Sequence, residues 1–270
     1  MIVKISYFSV YPVIMNIHVR CQYPKNTYVC IIPSVMKRII VSVTNDLTTD
    51  QRVDRVCRTL VRMGFDVLLV GRKLPNSLSL RDRIYGTKRL HLFFRKGPPF
   101  YAEYNLRLFF FLLFSNADIL LSNDLDTLPA NWLTSVLRRL PLVHDCHEYF
   151  RGVPELNNRP GTTRIWKILE DFIFPKLKKV YAVNASVARL YQSEYGINVK
   201  VIRNLPFRKG HVIPKTKKEL GIPEDHMIIL YQGAVNVDRG LDEAIEAMLY
   251  LKTKAVLLII GIGDVFQKLN

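Results

Sequence analysis

The chain has 270 residues, 49% of them hydrophobic and 23% charged, a balance that supports a packed core and excludes a disordered chain. Lys and Arg number 39 against 23 Asp and Glu, and the formal charge of +16 draws polyanions: nucleic acid, anionic lipid headgroups or phosphate-bearing substrates. The longest apolar run, Leu108 to Phe114 (LFFFLLF), is far short of the roughly 20 residues that cross a bilayer, which excludes it as a span.

Residues 1–35 form an extension of uncertain structure, without the apolar core and cleavage site of a signal peptide. They read either as a preface to a natural start at Met36 or as an extra pair of edge strands. From Arg38 the order becomes regular. RIIVSVT is a buried strand, and Thr48 with Gln51 has the spacing of a helix capping box. The helix that follows carries Val53, Val56, Cys57, Leu60 and Val61 on one face and stops at Gly64. FDVLLVG is the next strand, LHLFF (90–94) another, and Tyr104 to Phe114 a helix. That helix is expected to be buried, the alternative being a greasy face resting on a membrane surface.

ADILLSND then gives a strand, Ala130 to Leu140 a helix, and LPLVHDCHE a strand running into a polar cluster. Thr163 to Phe174 is a helix with Trp166, Leu169 and Ile173 on one side. KKVYAVN is a strand, Ser186 to Tyr195 a helix closed by Gly196, and NVKVIRN a strand. Such β-then-α alternation means an α/β fold with a doubly wound parallel sheet. It implies one Rossmann-like domain over 36–206, a proline-bearing linker over 207–224, and the start of a second Rossmann-like domain over 225–270. In that second domain MIILYQG and AVLLIIG flank a helix from Gly240 to Leu251, and the domain reads as cut short.

Open parallel sheets bind ligands beyond the carboxyl ends of their strands. Polar residues stand at those ends: Asn45 and Asp46, Asn123 and Asp124, then Asp145, His147 and Glu148, then Asn184 and Asn204, with Gly233 in the second domain. Asp145 and His147 should face one side of their strand and His144 the other. The first βα loop, NDLTTDQ, has no glycine, so the dinucleotide fingerprint is missing, as is a P-loop. Cys21, Cys30, Cys57 and Cys146 lack zinc-site spacing and suit a reducing cytoplasm, with Cys57 a buried free thiol.

NDLTTDQRVDRVCRTLVRMGFDVLLVG, NDLDTLPA, LVHDCHE, KVYAVNASVARLY with VKVIRN, and ILYQGAVNVDRGLDEAIEAM follow one another in an order that resembles the group 1 (family 4) glycosyltransferases of the GT-B superfamily, in the branch with an Asp-x-Arg helix start. The resemblance spans Met36 to about Asp264. It implies transfer of a sugar from a nucleotide-diphosphate donor to a glycan or lipid-linked acceptor, retaining and metal-independent, with no cofactor beyond the donor itself.

By the same resemblance His147 contacts the transferred sugar, and Gly233, Arg239 and Gly240 hold the donor diphosphate. Asn45, Asp46, Asp124, Asp145, Glu148 and Asn204 would line the cleft. The family's first cation after Gly233 is replaced by Ala234, and its lysine by Arg239. A helix start beside Arg239 still suits a diphosphate, with Asp238 as the competing cap. Asp124-Leu-Asp126 spells the metal-binding DxD of the other glycosyltransferase fold and is discounted here.

The segments that grip the donor's sugar and ribose would lie past Asn270. The chain alone is therefore expected to bind donor weakly and turn over little. A cytoplasmic protein, peripheral at the inner membrane face, is expected, with nucleic acid an improbable partner. The rival readings are a sugar-nucleotide epimerase of GT-B shape and a non-catalytic basic fragment that binds anions.

Overall fold

The structure, a computed structural model, describes residues 18–23, 26–31, 36–48, 50–153, 159–205, 210, 213–237, 239–261, 263 and 265. Contacts divide the chain into two compact units, Met1–Asn204 and Leu205–Asn270.

In the first unit, β1 (His18–Tyr23) and β2 (Asn26–Ile31) pair antiparallel as a sheet of their own. Among the described residues this pair does not join the main sheet. The main sheet holds seven parallel strands: β3 (Arg38–Asp46), β4 (Asp66–Arg72), β5 (Gly86–Leu90), β6 (Ile119–Asn123), β7 (Leu142–Cys146), β8 (Val180–Ala182) and β9 (Val199–Val201). Their spatial order is β5-β4-β3-β6-β7-β8-β9. The order reverses between β3 and β6, the switch point where a doubly wound sheet opens a crevice.

Side chains alternate across a strand, and β3 uses both faces. Ile39, Val41 and Val43 pack with Val53 and Cys57 of helix α1 (Gln51–Arg62), while Ile40 packs with Tyr104, Leu108 and Leu112 of α2 (Gly97–Phe114). A strand buried on both sides must be a continuous apolar run, and RIIVSV is one. Helices α3 (Asp124–Arg138), α4 (Pro160–Ile173) and α5 (Ala185–Tyr195) complete the layers around a core of Trp166, Ile173, Phe174 and Tyr191. Cys57 and Cys146 are buried free thiols. Gly64 and Gly196 follow their helices at φ of 85° and 65°, the left-handed conformation that stops a helix at low cost.

Several boundaries differ from expectation. The cap of α1 is Asp50, whose carboxylate accepts from the Val53 N–H at 3.0 Å; Thr48 turns back to Asp46 instead. The fifth strand is Gly86–Leu90, not 90–94, because the Phe93 and Phe94 N–H groups are taken by the Glu103 carboxylate at 2.9–3.0 Å. Helix α2 begins seven residues early, since Pro98 and Pro99 sit in the first turn, where no N–H partner is needed. Its LFFFLLF run divides: Leu108 and Leu112 are buried, Phe110 and Phe114 exposed. Among the described residues no helix is long and apolar enough to cross a membrane.

Helix α3 starts at Asp124 and runs through Pro129. The Asn105 side chain makes that possible: its Oδ1 accepts from the Ala130 N–H at 3.1 Å and its Nδ2 donates to the Asp126 carbonyl at 2.8 Å. One amide thus replaces the backbone bond that the proline kink opens.

In the second unit, β10 (Met227–Gln232) and β11 (Ala255–Ile260) pair parallel across α6 (Leu241–Ala247) and a 3₁₀ turn, Met248–Tyr250. The expected helix from Gly240 to Leu251 is therefore seven α-helical residues and that turn. Val235, Leu241 and Ile222 are buried, while Met227, Leu230 and Ile260 remain exposed.

Candidate active site

The polar strand ends of the first unit converge where β3, β6 and β7 finish. Asn123 closes β6, and Asp124 turns the chain into α3 at φ 55°, a left-handed conformation that Asp tolerates better than most residues. That geometry carries the Asp124 Oδ1 to the backbone N–H of His147, 3.1 Å away. Asn123 Nδ2 donates to the Ser42 carbonyl at 3.0 Å, which leaves its Oδ1 facing His147 Nε2 at 3.2 Å. Asp145 Oδ2 lies 3.3 Å from the same nitrogen and accepts from the Tyr181 hydroxyl at 2.7 Å. Two oxygens around Nε2 assign the proton to it. Nδ1 is then a lone-pair acceptor, buried and without a hydrogen-bond partner among the described residues. Asp145 and His147 share one side as expected, and His144 lies in the core against Phe174.

Burial sets the charge states. It pushes the His147 imidazole down to about 2, helped by Arg52 and His144, so the ring is neutral at ordinary pH. Burial raises the Asp145 carboxyl to about 7, against the pull of the Tyr181 hydrogen bond and Arg52. Asp126, held by the Thr44 hydroxyl, is raised by burial to about 6, and Asp124 is pushed well up by burial and then by Asp126. Arg52 opposes the rise of Asp124 with Nη2 at 3.6 Å from Oδ2.

A consequence for stability follows. Between the unfolded carboxyl value near 4 and the folded value of about 7, folded Asp145 holds more proton than the unfolded chain. Its contribution is therefore lost as pH rises. Asp145→Asn should gain on the wild type by up to about 1.4 kcal/mol per pH unit across that window. Urea midpoints of both proteins at pH 5 and pH 7 measure it; a constant gap would contradict the assignment.

The remaining expected residues separate. Asn45 is exposed and donates to Asp50 at 3.2 Å. Asp46 ties loops together: Arg89 pairs with its Oδ1 at 3.0 Å, Thr48 donates to the same oxygen, and Ser77 donates to Oδ2. Glu148 is exposed, and its carbonyl accepts from the Tyr191 hydroxyl at 3.3 Å. Asn204 accepts from Arg55 of α1 at 2.6 and 3.0 Å. Asp124 and Asp126 turn to different partners, Arg52 with His147 and Thr44 respectively. Arg52, Thr44 and Tyr181 were missed by sequence reasoning. For Arg52 a signal existed in Asp50-Gln51-Arg52, quoted above as a mark of resemblance but given no role.

In the second unit, Gly233 follows β10 and donates its N–H to the Ile260 carbonyl at 3.0 Å. A Cβ on Gly261 would fall 1.8 Å from the Gly233 oxygen, so this approach of the two strand ends requires glycine. Gly240, at φ 69°, is the residue before α6, and Arg239 beside it is exposed. The competing cap, Asp238, lies outside the described residues.

Solved structures resemble this fold at low identity. Sucrose-phosphate synthase from Thermosynechococcus elongatus matches at a TM-score of 0.61 and 17% identity, over 84% of this chain and 63% of that one. Anabaena HepE in complex with UDP and glucose matches at 0.57 and 13%, over 86% and 63%. A UDP-N-acetylglucosamine 2-epimerase from Listeria monocytogenes, whose assignment there is provisional, matches at 0.50 and 15%, over 83% and 62%. The chain thus spans less than two thirds of the length of these proteins. No curated protein sequence matches it. The sequence profile of Glycosyltransferase Family 4, however, matches residues 50–205, more than half of the chain and all of the sheet from α1 onward. The chain belongs to Glycosyltransferase Family 4.

Proposed function

We propose that this chain serves the transfer of a sugar from a nucleotide-diphosphate donor to a glycan or lipid-linked acceptor, retaining configuration and without a metal. The observation that carries this reading is the neutral His147, clamped through Nε2 by Asn123 and Asp145 and left with a bare Nδ1 at the switch point of the sheet. Once the side chains that cover it move aside, this fixed acceptor nitrogen would receive a hydrogen bond from a sugar hydroxyl and orient the ring. In the second unit, Arg239 and the N–H groups around Gly240 would take the diphosphate, with Gly233 leaving room beside them. In the transfer the anomeric carbon–oxygen bond to the diphosphate breaks and a bond to the acceptor oxygen forms; the acceptor proton leaves with the diphosphate. Stabilising that departing charge is the main demand on the protein.

UDP-glucose is a suitable first probe, because Anabaena HepE is described with UDP and glucose. Saturation-transfer NMR on the chain should show contacts from both uridine and glucose. His147→Ala should weaken the glucose signals several-fold and spare those of uridine. Equal loss of both, or no contact with any nucleotide sugar at millimolar concentration, defeats the reading. The epimerase alternative has support from the Listeria fold match; it predicts conversion of UDP-N-acetylglucosamine with no acceptor present.

A lipid-linked acceptor and peripheral attachment to a membrane are supported by the stripe of Leu106, Phe110 and Phe114 on α2, all exposed, in a chain of formal charge +16.

A further inference from the structure

At the carboxyl ends of β4 and β5, beside the candidate active site, a cavity of about 320 Å³ is lined by Arg72, Lys73, His91 and Arg95 together with Leu74, Pro75, Leu92 and Phe94. Its wall contains basic and apolar side chains and no acid. Two neighbouring acids are engaged by other groups. Asp46 is paired with Arg89, and Glu103 holds the N–H groups of Phe93 and Phe94 and pairs with Arg107. Of these cations Arg72 is partly offset by the Asp126 carboxylate, while Lys73 and Arg95 add positive charge that an incoming anion would offset.

Arg72 is fixed rather than adrift in solvent. Its guanidinium lies 4.5 Å from the centre of the Phe100 ring, and Nη1 donates to the Arg95 carbonyl at 3.3 Å. Its Nε is buried and has no hydrogen-bond partner among the described residues. Arg38, Arg52 and Arg89 have an Nε in the same state, so what singles out Arg72 is its place in the wall of the cavity. Arg72 also lowers the proton affinity of Asp126, which ties the cavity electrostatically to the switch point.

We infer that this cavity binds a phosphate or diphosphate group, carried by the acceptor. A guanidinium held in plane and flanked by further cations matches tetrahedral phosphate oxygens, and Leu92 and Phe94 offer an apolar surface to whatever bears the group. That the anion belongs to the acceptor rests on the transferase reading; the anion site itself does not.

Calorimetric titration of the whole chain with inorganic pyrophosphate in 150 mM NaCl, a choice of roughly physiological screening, tests it. The double variant Lys73→Gln/Arg95→Gln, both exposed positions, should weaken the pyrophosphate affinity at least about tenfold, as should Arg72→Gln. Lys178→Gln/Lys179→Gln, which removes the same charge elsewhere, should bind like the wild type. Displacement by glucose 6-phosphate assigns the site to a soluble sugar phosphate, and displacement by farnesyl diphosphate to a lipid carrier. Displacement by neither overturns the acceptor assignment. Binding lost in Arg239→Gln but intact in the cavity variants overturns the site altogether, whatever becomes of sugar transfer.

Discussion

Arg151→Ala should cost about 3–5 kcal/mol of folding stability, because it leaves a buried carboxylate without its cation. Glu170 on α4 has no exposed surface, and Arg151 is the cation against it. The same guanidinium pairs with Glu194 on α5 and lies 5.2 Å from the centre of the Tyr149 ring. The staple therefore holds the short 3₁₀ turn Phe150–Gly152 to two helices at once. Burial raises the Glu170 carboxyl, and Arg151 is the main force opposing the rise. Without Arg151 the carboxyl rises further, so the folded state of the variant holds an extra proton up to higher pH. Its deficit should accordingly be larger at pH 7.5 than at pH 5. Adding Glu170→Gln should recover part of the loss by removing the charge. Chemical denaturation of the three proteins at both pH values decides the matter; a deficit independent of pH would mean that lost packing, not an orphaned charge, is responsible. Only Tyr149 separates the turn from His147 and Glu148, so weaker sugar contacts in the same variant would show that the staple also positions the site.

Asn105→Leu is expected to remove about 2–5 kcal/mol, since it strips partners from two backbone groups inside α3 at once. The Ala130 N–H and the Asp126 carbonyl both end on the Asn105 amide, and Ala130 is only 3% exposed. Leucine fills nearly the same volume, so the loss would report unsatisfied polar groups and not a cavity. Asn105→Asp keeps the acceptor for Ala130 but not the donor for Asp126, and should fall between. The control is Pro129→Ala, which returns a donor at residue 129 and should make the helix less dependent on residue 105. Hydrogen exchange at Ala130 in each variant reads the local effect: protection unchanged in Asn105→Leu would show that the helix closes its own bond. Because Asp124 and Asp126 sit in the first turn of α3, loosening it should also shift the titration of Asp126, held by burial at about 6.

The elements whose pattern was strong in sequence are those whose environment is uniform. β3, β4 and β6 are flanked on both sides and covered on both faces, so only apolar runs suit them. β5 has one neighbour and carries Thr87, Lys88 and Arg89, a composition without a strand signature. The apolar LHLFF beside it attracted the assignment, yet Phe93 and Phe94 are exposed and their N–H groups go to a carboxylate. Prolines misled in the same way. At Pro98 and Pro99 the first turn needs no donor, and at Pro129 a side chain from another helix repairs the break. Neither circumstance is visible to a local reading.

Sequence alone determined the alternation of strands and helices, the parallel doubly wound sheet and the edge on which polar residues gather, because periodicity and turn chemistry act over a few residues. How the hydrogen-bonding capacity of those residues is spent was decided only by tertiary structure. Asp46 and His147 look alike as strand-end polar groups, but Arg89 and Ser77 engage both oxygens of one, while Nδ1 of the other has no hydrogen-bond partner among the described residues. Hydrogen-bond capacity is finite, and how it is shared out depends on neighbours that the chain brings together from far apart.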